Sequence, residues 1–203
     1  MSISLQKGQK VSLTKENAGL KKIVVGLGWD EAQKSGGFLS SLFGSSGGES
    51  NIDCDASAFL LQNGQLVYKD DVVYYGNIRH KSGTVIHMGD NLKGAGEGDD
   101  EQITIDLANV PADYDRIVIV VNIYQAVQRR QEFGMIRNAF IRLVDASNNK
   151  EILKYNLTEN YAGMTAMIFG EVYRHNGEWK FNAVGAGYQG GLEALCRSYG
   201  VNV

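Results

Sequence analysis

The run Arg116-Ile117-Val118-Ile119-Val120-Val121-Asn122-Ile123-Tyr124 is the longest apolar stretch in the chain. It falls short of the roughly 18 continuous apolar residues that a membrane helix requires. Its β-branched side chains favour an extended backbone. Successive residues of a strand point to opposite faces, so a strand that is apolar throughout must be covered on both. The run therefore reads as a strand buried on both faces.

The segments on either side extend the pattern. Downstream, 138–145 and 151–157 form a strand pair around the turn Asp145-Ala146-Ser147-Asn148-Asn149-Lys150, and 166–175 and 179–185 are joined through Asn176-Gly177, a two-residue hairpin signal. Upstream, 102–107, 84–88, 72–75, 51–61, 22–27 and 11–13 have strand character. Asn63-Gly64 predicts a second hairpin, between 59–62 and 65–68. The segment 125–133 is polar and reads as a short helix or turn. Residues 191–200 have a helical pattern with a glycine stop, expected to cap one end of the sheets and bury Leu192, Leu195 and Cys196. About ten short strands and one terminal helix predict an all-β chain, a β-sandwich of two antiparallel sheets with a short C-terminal helix and irregular loops.

Composition agrees. There are 25 glycines and one proline, 43% of residues are hydrophobic and 21% charged, as in an ordinary globular protein with many turns. No compositional break divides the 203 residues, so 1–203 is expected to be one domain. The interruption is a Gly/Ser-rich loop insertion at about 31–50, which carries an apolar patch, Phe38-Leu39 and Leu42-Phe43. A net charge of −3 calls for neither nucleic acid nor an acidic membrane surface, and no segment is expected to span a membrane. The first residues lack the apolar run of a signal peptide, and Cys54 and Cys196 form no CxxC. A reducing, cytoplasmic setting is expected.

Chemistry concentrates in 87–101, His-Met-Gly-Asp-Asn-Leu-Lys-Gly-Ala-Gly-Glu-Gly-Asp-Asp-Glu, where five carboxylates and four glycines share one lysine. Glycine lets backbone carbonyls approach a small object closely, and carboxylates are hard oxygen ligands. Crowded carboxylates repel one another unless a cation or solvent relieves the charge. Such an irregular oxygen shell suits Ca²⁺, with about six to eight ligands. A solvated acidic turn between two strands is the other reading. Asp53 and Asp55 add a second acidic face. If 51–61 is a strand, Ile52, Cys54, Ala56 and Ala58 lie on one side and the two carboxylates with Ser57 on the other. Asp30 follows Gly26-Leu27-Gly28-Trp29 at a strand end, where it is a possible oxygen ligand or a turn cap. The two glycines make no dinucleotide loop, since Glu31 stands where the third glycine would.

Catalytic motifs are lacking. There is no GxSxG, HExxH, P-loop or zinc-type cluster, and the three histidines are scattered. His87 could orient the acidic loop or simply be a hydrogen-bonded strand-end residue. Acidic pairs along one glycine loop suit an ion better than a scissile sugar bond. The chain is expected not to be an enzyme.

Taken together, Gly26-Leu-Gly-Trp-Asp30, Asp53-Cys-Asp-Ala-Ser-Ala58, the acidic loop, Asp113-Tyr-Asp115, Phe133-Gly-Met-Ile-Arg-Asn-Ala-Phe-Ile-Arg142 and Gly177-Glu-Trp-Lys-Phe181 resemble the tellurium-resistance (TerD) family of bacterial stress proteins over nearly the whole chain. The resemblance implies a non-enzymatic, calcium-binding β-sandwich tied to tellurite resistance and chemical stress, holding about two calcium ions. By motif position the ligands would be Asp53, Asp55, Asp90, Asn91, Gly94, Gly96, Asp99, Asp100 and Glu101, with Asp30 and Asp145 as second-tier candidates. The family's usual Asp-Leu-Asp stands here as Asp53-Cys54-Asp55, and the 31–50 insertion is longer than in simpler members. Two other functions fit the residues. One is a scaffold that docks other stress or tellurium-resistance proteins, in a membrane-linked complex, through the Phe38-to-Phe43 patch. The other is a small-ligand binder, of a nucleotide for instance, which would call for an aromatic pocket beside the acidic loop.

Overall fold

A computed structural model describes residues 2–31, 52–90 and 98–202, apart from the side chains of Glu31 and Asp90. The Phe38-to-Phe43 patch and the predicted ligands Asn91, Gly94 and Gly96 lie outside the described residues. Two six-stranded sheets pack face to face. The first holds β1 (Ile3–Leu5), β10 (Lys150–Asn156), β9 (Ile136–Asp145), β3 (Lys22–Glu31), β7 (Glu101–Asp106) and β6 (Val85–Asp90), in that order. The second holds β2 (Lys10–Ser12), β12 (Glu178–Tyr188), β11 (Ala166–His175), β8 (Arg116–Ile123), β4 (Cys54–Leu61) and β5 (Val72–Val73). Pairing is antiparallel except at one edge, where β1 runs parallel to β10. The sandwich expected from the strand pattern is therefore present, with one parallel edge.

The apolar run at 116–124 forms β8, and every residue from Ile117 to Ile123 is buried. Its two faces enter two different cores. Ile117, Ile119 and Val121 join Ala56, Ala58, Leu60, Ile23, Val25 and Leu27 between the sheets. Val118 and Val120 join Phe59, Leu61, Ile168, Leu195 and Cys196 on the outer face of the second sheet. That outer face is covered by α2 (Gly191–Ser198), which contacts β8 and β11. The helix thus lies on a sheet face and does not cap one end of the sheets. Leu195 and Cys196 are buried as expected, while Leu192 is half-buried.

Both predicted turns form. Asn176 and Gly177 have φ of 53° and 76°, and Asn63 and Gly64 have φ of 52° and 80°. These left-handed values belong to the tight hairpin turns that Asn-Gly favours. Only the first joins two long strands. After Gly64 a single bridge, Gln62 to Gln65, forms before the backbone turns away, and Leu66 N–H donates to the Tyr199 carbonyl at 2.8 Å. The terminal segment has claimed the donor that a strand would need.

One end of the sandwich collects the acidic segments. There β3, β6 and β8 finish while β4, β7 and β9 begin, with Leu27 opposite Glu101, Asp90 opposite Glu101 and Cys54 opposite Ile123. The strand β3 runs further than the expected 22–27: it continues through Trp29 and Asp30, which pairs with Arg137.

Candidate functional site

Each acidic residue at this end is positioned differently, and neutralising partners separate them. Asp99 is buried, and Arg142 on β9 grips its carboxylate with two bonds, Nε to Oδ1 at 2.6 Å and a terminal guanidinium nitrogen to Oδ2 at 3.1 Å. Gln102 Nε2 adds a third at 2.9 Å. A two-pronged guanidinium–carboxylate contact is among the stronger polar pairings in proteins. The carboxylate raises the Arg142 guanidinium above its usual value, against the effect of burial.

The glycines of Gly26-Leu27-Gly28 make this arrangement possible. Ile23, Val25 and Leu27 face the core, so Gly26 and Gly28 face outward. A Cβ on Gly26 would overlap the Asp99 carboxylate, and one on Gly28 would overlap the Phe140 ring. The glycine pair that superficially suggests a dinucleotide loop leaves room for the acidic segment to lie against the sheet.

Glu101 links the two sheets. It is buried at the start of β7, and its Oε2 accepts a bond at 3.2 Å from the N–H of Ala56 on β4 of the facing sheet. The edge strand β5 pairs only with Ala58 and Phe59, so it does not cover this part of β4. His87 completes the contact. Its Nδ1 accepts from Gly89 N–H at 3.0 Å, and its Nε2 lies 2.8 Å from Glu101 Oε2. His87 thus stands at the end of β6 with its ring between the Gly89 backbone and Glu101.

Asp100 is less compensated. Trp29 N–H donates to its Oδ2 at 2.7 Å, but burial raises its carboxyl above 3.8, and the nearby Asp30 and Asp99 push in the same direction. Asp30 itself accepts from Asn138 Nδ2 at 2.7 Å. On the facing sheet Asp53 precedes β4, half exposed, with an Arg129 guanidinium nitrogen 3.7 Å from it. Asp55 lies in β4 opposite Asn122. Between them Cys54 points into the core, as the alternation predicts. Its thiol is raised well above 9, by burial and then by the surrounding charges of Asp55, Asp53, Glu101 and Asp100. The structure therefore brings Asp30, Asp53, Asp55, Asp99, Asp100 and Glu101 to one end. The backbone of Asp90 reaches the same end, pairing with Glu101.

Asp145 lies elsewhere. It sits eight residues along β9 from Arg137, the partner of Asp30, about 26 Å away at the rise of a strand. Its carboxylate caps its own turn through Ser147 N–H at 2.9 Å, Ser147 Oγ at 2.7 Å and Asn148 Nδ2 at 3.0 Å. These bonds hold the carboxyl below 3.8. Among the described residues, no three His, Cys, Asp or Glu side chains are grouped tightly enough to hold an ion alone.

Sequence reasoning did not find Arg142, Gln102, Asn138 or Arg129, which hold the carboxylates. Arg142 and Asn138 stand on the outward positions of β9, where alternation could have marked them as one face with Phe140. Nothing local pointed to Asp99 as their neighbour.

A β-sandwich with one acidic, glycine-lined end defines the class of protein. Residues 1–199 match the family model described as TerD domain, and the chain belongs to that family. It is 58% identical over 187 residues to the stress response protein SCP2 of Bacillus subtilis, covering 92% of this chain and 93% of that one. It is 48% identical over 203 residues to the tellurium resistance protein TerD of Serratia marcescens, covering 100% of this chain and 99% of that one. Among solved structures, the protein of unknown function SAV2460 superposes with a TM-score of 0.62 at 26% identity, over 88% of this chain and 95% of that one. No helix among the described residues is long and apolar enough to cross a membrane.

Proposed function

We propose that this TerD-family chain is a non-enzymatic, calcium-binding protein of the bacterial response to tellurite and other chemical stress. The observation that carries the proposal is the convergence of Asp30, Asp53, Asp55, Asp99, Asp100 and Glu101 on one end of the sandwich, where β3, β6 and β8 finish and β4 and β7 begin. Carboxylates brought together out of water favour a cation.

The donor set fits a hard ion in part. Asp99 and Glu101 are already engaged, by Arg142 with Gln102 and by His87 with the Ala56 N–H, and they act mainly as the frame. Asp53, Asp55 and Asp100 would hold calcium, with Asp30 beside them. Asp90, Asn91 and the carbonyls of Gly94 and Gly96 are added by motif position, as the family resemblance implies. All are oxygen donors, as Ca²⁺ requires, and a mixture of carboxylates and carbonyls is its usual shell. Bound calcium would neutralise this end and fix the acidic segment against β3 and β4. The names of the Serratia and Bacillus relatives support the stress and tellurium part of the proposal.

An ion that binds only the native state raises its stability by RT ln(1 + [L]/Kd), about 2.7 kcal/mol at a hundredfold excess over Kd. Thermal unfolding in calcium and in chelator tests the reading. A higher midpoint in calcium, reduced in Asp53→Asn and in Asp100→Asn, is expected. Equal midpoints would remove the proposal.

A further inference from the structure

A groove of about 1150 Å³ runs over the outer face of the first sheet, beside residues 98–100. It is large for a small-ligand site, and β3, β9 and β10 form its floor. Trp29 and Phe140 supply aromatic surface, while Asp30, Asn138, Lys154 and Asn156 line it with polar groups. The Lys154 ammonium stands directly across the strand pair from Arg142, which is already committed to Asp99 and Glu151. It rests 3.8 Å above the centre of the Phe140 ring and, among the described residues, forms no ion pair with a carboxylate.

We propose that this groove binds a neutral, hydroxyl-rich ligand, a short oligosaccharide. The mixture of signs carries the argument. A phosphate-bearing ligand drawn to Lys154 would meet Asp30 and Asp100 across the groove, and a cationic ligand drawn to those carboxylates would meet Lys154 and Arg142. A sugar hydroxyl both donates and accepts, so it uses both walls at once. Carboxylates accept, the ammonium donates, and the side-chain amides of Asn138 and Asn156 do both. The C–H face of a sugar ring can rest against Trp29, and a volume of about 1150 Å³ suits more than one ring. The groove shares Asp30 and Asp100 with the proposed calcium end, but its ligand is held by side chains of the groove itself.

The test uses maltotriose, cellotriose and N-acetylchitotriose, with glucose 6-phosphate as the charged comparison, as probes of the full chain, each in calcium and in chelator. The chain has two tryptophans, and Trp179 is buried with its indole N–H donating to the Leu107 carbonyl. In a Trp179→Phe background, fluorescence reports Trp29 alone. Saturation-transfer NMR on the sugar protons gives a second readout on the natural chain. Saturable binding of at least one trisaccharide is expected in both conditions, weakened about tenfold by Asn156→Ala and by Lys154→Ala, a loss of roughly 1.4 kcal/mol. Four results would overturn the proposal: no saturable binding by either method at millimolar sugar, binding seen only in calcium, binding of glucose 6-phosphate alone, or affinities unchanged in both variants. Calcium-dependent melting is measured separately, so the ion can fail while the groove stands, and the reverse.

Discussion

Asp99 occupies the space that a side chain at position 26 would need, since a Cβ on Gly26 would overlap its carboxylate. Gly26 has no positive φ, so the requirement for glycine here is one of room and not of backbone freedom. Gly26→Ala should push the carboxylate away from Arg142 and destabilise the protein by about 1–3 kcal/mol, the usual range for overpacking. Urea unfolding of the variant checks this. An unchanged midpoint would mean that the acidic segment yields freely and is not held against β3.

Arg142 is the counterweight to that buried carboxylate. Arg142→Met leaves Asp99 without its main partner, and a buried acceptor stripped of its donor costs about 1–3 kcal/mol. Adding Asp99→Asn to the variant should restore part of the loss, because the charge that needed Arg142 is gone. The coupling is read from the double-mutant cycle. Purely additive losses would show that the two side chains do not depend on each other.

Acid should weaken the fold through a second buried network, at Asp71. Burial acts to raise its carboxyl, but bonds from Lys81, Tyr114, His80 and the Tyr68 N–H together outweigh it and hold it below 3.8. Burial lowers His80 from 6.5, against the attraction of Asp71. A histidine whose folded value is depressed binds its proton more readily when unfolded, so its contribution falls away as pH drops below about 6.5. A depressed carboxylate keeps its contribution until pH falls below about 4, where the unfolded chain takes up a proton first. Unfolding midpoints should therefore decline in two stages on acidification. His80→Gln should flatten the upper stage and leave the lower one, and a parallel decline in both proteins would contradict the assignment.

Neither cysteine should be reactive in the native protein. Cys54 is raised well above 9, by burial and then by Asp55, Asp53, Glu101 and Asp100, and burial pushes Cys196 up to about 12. Since the thiolate is the nucleophile, an aromatic disulfide reagent at mildly alkaline pH should label two thiols in urea and none in buffer. Rapid native labelling at Cys54 would show that the acidic end opens readily.

Much of the fold was legible because alternation in a strand records which faces are covered. The two-sided apolar run at 116–124 required a second cover for one sheet, and α2 supplies it. The pattern of 191–200 shows that one helix face is buried but not what buries it, so it does not distinguish a cap at one end from a cover on a face. Asn63-Gly64 encoded its turn, but not that Leu66 would bond to Tyr199. At the site, the acidic residues were visible as composition. Their partners were not, because Arg142 and Asp99 are 43 residues apart and meet only once β9 lies beside β3. Asp145, in an Asp-Ala-Ser like the one at 55–57, shows the converse: similar local sequence serves its own turn at the other end of β9.

Isothermal titration of the chelator-treated protein with calcium measures whether the acidic end holds the ion. Saturable binding of about two ions is expected, with affinity weakened in Asp53→Asn and Asp100→Asn and unaffected in Asp145→Asn, whose carboxylate caps a distant turn. Heats no larger than dilution, or a loss of binding in Asp145→Asn equal to that in Asp53→Asn, would contradict it.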